Sequence, residues 1–84
     1  MRSLYVMDPP DSLYIIGDST YALMLEAAGR NWPTWWCHPT DLRVRENGPV
    51  ARVQEIVALP GPPFFEPGDW TELPLGSFDA IWMR

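Results

Sequence analysis

Apolar residues in this chain fall in short unbroken runs punctuated by proline and glycine, with one longer periodic stretch among them. Leu4-Tyr5-Val6-Met7 is the first run, and Asp8-Pro9-Pro10 stops it. A run without polar alternation predicts a strand buried on both faces. Asp11 to Gly17 carries Leu13, Tyr14, Ile15 and Ile16, which fits either a strand or an extended, packed loop. Asp18 or Ser19 can then cap a helix, accepting a hydrogen bond from a free amide of the first turn. Tyr21, Met24, Leu25 and Ala28 follow helical spacing, and Gly29 is placed to close the helix in a left-handed conformation. Ala22, Leu23 and Ala27 widen the apolar surface, which predicts burial against a sheet and a second surface.

Thr34-Trp35-Trp36-Cys37 reads as a second strand. Strand, helix and strand joined this tightly form a βαβ unit with parallel strands and a right-handed crossover. Asp41 to Arg45 alternates polar and apolar, Asn47-Gly48 signals a turn, and Ala51 to Leu59 is rich in Val and Ile. That is a β-hairpin, with Pro49 calling for a looser turn or a late-starting second strand. Pro60 to Gly76 reads as an irregular excursion covering apolar surface with Phe64, Phe65 and Trp70. Phe78 to Met83 reads as a last buried strand, followed by Arg84. The expected fold is a small layered α/β domain with a mostly parallel sheet, one main helix and a β-hairpin insertion. With one helix, one sheet face is left poorly covered and available to a partner.

Composition narrows the function. The chain has 84 residues, enough for one domain with a marginal core. Its net charge is −5 and all six basic residues are arginines. The acidic balance argues against a nucleic-acid binder. Without lysine there is no Schiff-base nucleophile and no P-loop lysine. Cys37 is the single cysteine, so no intrachain disulfide forms, and a buried thiol is the expected state. No basic leader and no long apolar run is present, which fits a cytoplasmic setting without membrane insertion.

Ligands of open α/β sheets gather at the carboxyl ends of the strands. Asp8, Asp18 with Ser19, and Arg84 all belong to that edge. A helix start attracts anions, although capping alone explains Asp18 and Ser19. Asp8 either orders its loop or touches a polar substrate. Arg84 is either a solvated residue or a grip for a carboxylate. His38 beside Cys37 lacks the further ligands a zinc site needs. Trp32, Trp35 and Trp36 have no interleaved basic residues, so core or interface packing suits them better than base stacking.

These residues also carry a family resemblance. Val6-Met7-Asp8-Pro9, Asp18-Ser19-Thr20 with Ala22 to Ala27, Asp41-Leu42, Asn47-Gly48 with Ala51-Arg52, Leu73-Pro74-Leu75 and Phe78 to Arg84 resemble, in order, the amino-terminal domain of prokaryotic glutathione synthases. The match runs from about Tyr5 to Arg84. It implies a pre-ATP-grasp, Rossmann-like domain over residues 1–84, without the ATP-grasp portion. It implies a parent ligase that joins γ-glutamylcysteine to glycine through an acyl phosphate, using ATP and Mg²⁺. This domain would shape the γ-glutamylcysteine side of the cleft and contribute oligomer and domain contacts, with Arg84 at the cleft and Asp8, Asp18 and Ser19 at matching motif positions. Alone it would be inactive and would self-associate. The alternative is a stand-alone interaction protein that keeps the fold without the chemistry.

Overall fold

A computed structural model describes residues 1–12 and 19–83. Six strands and one helix follow in the order β1 (Ser3–Val6), α1 (Ser19–Gly29), β2 (Thr34–Cys37), β3 (Leu42–Arg45), β4 (Gly48–Ala58), β5 (Phe65–Pro74) and β6 (Ala80–Met83), with short 3-10 turns at Pro10–Ser12, Pro39–Asp41 and Leu75–Ser77. The segment 13–17, expected as strand or packed loop, lies outside the described residues.

The expected parallel unit is present. β1 pairs in parallel with β2, Val6 opposite Cys37, and with β6, Val6 opposite Met83. The rest of the sheet corrects the mostly parallel expectation. β4 pairs antiparallel with β2, β3 and β5, so the sheet is mixed and antiparallel pairs predominate. The reason is the length of β4. Eleven residues carry it beyond β3 to Trp35 and Trp36 of β2, so the hairpin joins the main sheet. Connections as short as those around β4 can only join antiparallel neighbours.

The β3–β4 hairpin turns at Glu46-Asn47, with Arg45 opposite Gly48. Gly48, at φ +117°, supplies the backbone conformation that side chains resist. β4 begins at once, with Pro49 opposite Val44. β5 reaches back only to Val50, so no strand on that edge asks Pro49 for a backbone donor.

β5 overturns the irregular excursion expected at Pro60 to Gly76. Its prolines are accommodated by an edge position and by a bulge. Gln54 faces Trp70 and Ile56 faces Pro67, which leaves Gly68 and Asp69 opposite Glu55. A Cβ on Gly68 would lie 3.2 Å from Glu55 Cβ, a tight contact that a larger residue could make only if Glu55 shifted by a few tenths of an ångström.

α1 buries one stripe, Thr20, Tyr21, Met24 and Ala27, and not a second surface. Leu23 faces outward at 42% exposure. Gly29 does not take the left-handed role. Asn31 does, at φ 58°, and Trp32 N–H donates to Ala27 O while Asn31 N–H donates to Ala28 O. These paired bonds satisfy carbonyls the last turn would otherwise leave open.

Pleat alternation sends the core to both faces of the sheet. Leu4, Val6, Trp35, Cys37, Ala51, Val53 and Phe78 form one cluster. Tyr5, Met7, Trp36, Ile56 and Ala58 form the other, beneath Tyr21 and Met24 of α1. β4 feeds the first cluster from Ala51 and Val53 and the second from Ile56 and Ala58. β6, expected to be buried, is an edge strand: Ile81, Trp82 and Met83 are all exposed, Met83 at 69%. Among the described residues its one strand partner is β1, and only Trp82 finds an aromatic neighbour, stacked on Tyr5.

Candidate functional site

Parallel pairing aligns the carboxyl ends of β1, β2 and β6 along one edge. Met7 continues β1, its N–H donating to Cys37 O over 2.9 Å, and Asp8 follows with a side chain 78% exposed. His38 follows β2. Its Nδ1 accepts from Thr40 N–H, and its own N–H donates to Asp41 Oδ2 over 3.0 Å, a reciprocal cap on the short turn at Pro39–Asp41. An accepting Nδ1 leaves the neutral imidazole's proton on Nε2. That nitrogen lies 3.6 Å from Asp8 Oδ1.

The edge therefore presents an exposed carboxylate and an imidazole that can act on a polar ligand, the first as acceptor and the second as donor through Nε2. Ser19 is the first residue of α1 and is exposed. The βαβ connection brings the start of α1 to the same end of the sheet. Asp18 and Arg84 lie outside the described residues. From sequence His38 lacks the partners for a zinc site or a Cys-His pair; its approach to Asp8 follows from the β1–β2 register, which apolar runs do not reveal.

Cys37 is fully buried in the first core cluster. Burial, with the Asp41 charge adding to it, pushes its thiol up to about 11. It is a core side chain, as expected. Among the described residues, no group of three or more His, Cys, Asp and Glu stands close enough to hold a metal ion. No helix among them is long and apolar enough to cross a membrane.

The tryptophans separate as packing residues. Trp35 belongs to the first cluster, with the Arg2 guanidinium 4.6 Å from its ring centroid. Trp32 carries Arg30 at 5.0 Å beyond the end of α1. Trp36 faces the other side, where its Nε1–H donates to Gln54 Oε1 over 2.8 Å and Gln54 Nε2 donates to Gly68 O over 3.1 Å. Beside it opens a groove of about 330 Å³, bounded by the Pro9–Asp11 loop, Trp36, Ile56 and Phe65. Proline and aromatic walls make it apolar, and Asp11 gives it a charged lip.

Comparison with known proteins gives a family match over the whole chain. The family model for the prokaryotic glutathione synthetase N-terminal domain matches residues 1–84. The chain is 38% identical over its whole length to a glutathione synthetase of Ralstonia nicotianae, covering 26% of that protein. It is 40% identical to one from Parasynechococcus marenigrum and 37% identical to one from Prochlorococcus marinus strain MIT 9313, again over the whole chain and 26% of each relative. The chain thus spans about a quarter of the length of these curated relatives. Matched from its first residue to its last, it belongs to the family of prokaryotic glutathione synthetase N-terminal domains.

Proposed function

We propose that this chain serves as the N-terminal domain of an ATP-dependent glutathione synthase, which ligates γ-glutamylcysteine to glycine through an acyl phosphate. Within that enzyme it contributes part of the substrate cleft and a domain or oligomer interface, and by itself it has no ligase activity. The whole-length family match carries the reading. The edge holding Asp8 and Ser19 is the substrate-facing side, and Asp18 and Arg84 belong to the same motif positions.

The described residues do not fit ATP or Mg²⁺. The chain has no lysine, and among the described residues no set of clustered carboxylates is available as a hard oxygen cage. Those groups belong to the remaining three quarters of the enzyme, and no step through them is assigned to this domain. What the domain's own residues supply is recognition. Exposed Asp8 offers two acceptor oxygens to an ammonium or amide of the dipeptide, and capping holds the neighbouring His38 in place.

The test is a chimera. This chain replaces the matching 86 residues of the Ralstonia enzyme, and ADP release is measured with γ-glutamylcysteine, glycine or both. Activity that needs both substrates in the chimera, with none from the 84-residue chain alone, supports the proposal. A folded but silent chimera favours the stand-alone interaction protein instead. Activity from the short chain alone refutes its assigned inactivity.

A further inference from the structure

The sheet face that carries α1 at one end is open at the other, and its chemistry changes along β4. Paired residues share a face, so Arg43 opposite Val50, Arg52 opposite Glu72, and Gln54 opposite both Trp36 and Trp70 all lie on this side. Arg45, opposite Gly48, lies there too. Three of the chain's six arginines thus stand on one face of a molecule whose net charge is −5. Among the described residues, Glu72 is the one carboxylate that strand register places among them. Arg45 takes it, with Nε at 3.2 Å and Nη2 at 2.8 Å from Glu72 Oε1. Arg52 turns to Trp70 instead, its guanidinium 4.5 Å from the ring centroid. Arg43 and Arg52 are exposed, and among the described residues neither has a carboxylate partner.

Two recesses flank this pair. The apolar groove of about 330 Å³ lies toward Ile56, and a more polar one of about 510 Å³ lies toward Val50, bordered by Arg45, Glu46, Asn47 and Glu72, where Arg45 offsets one of the two carboxylates. Five residues of strand lie between Val50 and Ile56, a distance of roughly 20 Å, the span of about six extended residue steps. Trp70 stands between the recesses, 37% exposed and set edge-on against Trp36 at 5.5 Å. Exposed tryptophan and unpaired arginine are the residue types that concentrate binding energy at protein surfaces.

We propose that this face binds an extended acidic peptide segment, with an apolar or aromatic side chain seated in the Trp36–Ile56–Phe65 groove and carboxylates reaching Arg52 and Arg43. Asp11 at the groove lip sets the direction, because it repels the acidic end of the segment. A second copy of the chain suits the face poorly. A two-fold contact centred there would set Arg43 and Arg52 against their own equivalents, and like charges across an interface oppose association.

A fluorescein-labelled peptide Trp-Gly-Ser-Gly-Glu-Glu tests this by anisotropy, titrated with the 84-residue chain. Saturable binding that weakens with added salt is expected. Arg52→Glu should weaken it about fivefold to tenfold, while Arg30→Glu, the same charge change just past the end of α1, should leave it within about twofold. Far-ultraviolet dichroism checks that both variants keep the fold, and Arg52→Lys, which retains charge, should recover most of the binding. No saturation at millimolar protein, equal loss in both variants, or preference for the Lys-Lys version of the peptide would overturn the proposal. So would a dimer in sedimentation that Arg52→Glu dissociates, which would make a second copy the occupant.

Discussion

His38 Nε2 lies 3.6 Å from Asp8 Oδ1, so the residue that leaves β2 faces the one that follows Met7 out of β1. The two partners are held very differently. His38 caps a turn through its side chain and its backbone, whereas Asp8 is largely exposed. His38→Ala should therefore cost about 1 kcal/mol in urea unfolding, the usual loss for a removed cap. Asp8→Ala should cost less than about 0.5 kcal/mol. In the chimera, Asp8→Ala should raise the KM for γ-glutamylcysteine. An unchanged KM would remove Asp8 from the substrate side, and a stability loss matching that of His38→Ala would make it a loop-ordering residue.

The buried thiol of Cys37 makes stability depend on alkaline pH. Its folded value, about 11, lies above the ordinary 9.0, so the folded state holds the proton more tightly than the unfolded one. The contribution is fully present below pH 9 and is lost as pH rises towards 11. Urea midpoints should fall across that window. Cys37→Ala should flatten the fall, even though it lowers stability overall by emptying part of the core. A fall just as steep in the variant would assign it to other groups.

Two glycines should respond in opposite directions. At Gly29 a Cβ meets nothing within 4 Å and φ is not positive, so Gly29→Ala should stabilise α1 by about 0.5–1 kcal/mol. At Gly68 the same methyl would stand 3.2 Å from Glu55 Cβ inside the β4–β5 bulge. Gly68→Ala should cost about 1–3 kcal/mol, the range for overpacking. Thermal melts of both variants decide the matter, and a neutral Gly68→Ala would mean that the bulge yields without cost.

Exposed Ile81, Trp82 and Met83 on edge strand β6 should drive self-association of the isolated chain at micromolar concentration. Ile81→Lys should shift sedimentation towards monomer with less than about 0.5 kcal/mol lost in stability. A wild-type chain that stays monomeric, or a variant that associates equally well, would locate the sticky surface elsewhere.

Much of the fold was legible because short apolar runs bounded by proline and glycine mark strands directly. Leu4 to Val6, Thr34 to Cys37 and Ala80 to Met83 all form, as do α1 and the hairpin. β5 was hidden because Pro67 and Gly68 look like breakers, yet they sit at an edge and a bulge, where both are tolerated. Trp70-Thr71-Glu72-Leu73 was the available sign of a strand. The exposure of β6 was not legible, since apolarity states what a residue prefers and not what covers it. Asp8 and Ser19 could be assigned to the sheet edge from order alone. The nearness of Asp8 to His38 needed the pairing of Val6 with Cys37.

The two halves of β4 have a further consequence, for cooperativity. Because one strand is a wall of both cores, neither core can melt while the other persists intact. A register slip of a single residue would turn Ala51 and Val53 outward at one end and Ile56 and Ala58 outward at the other. So small a domain, with its apolar surface divided between two faces, would otherwise risk breaking into separately fraying parts. β4 makes the division indivisible, and the chain should unfold in one step by every probe.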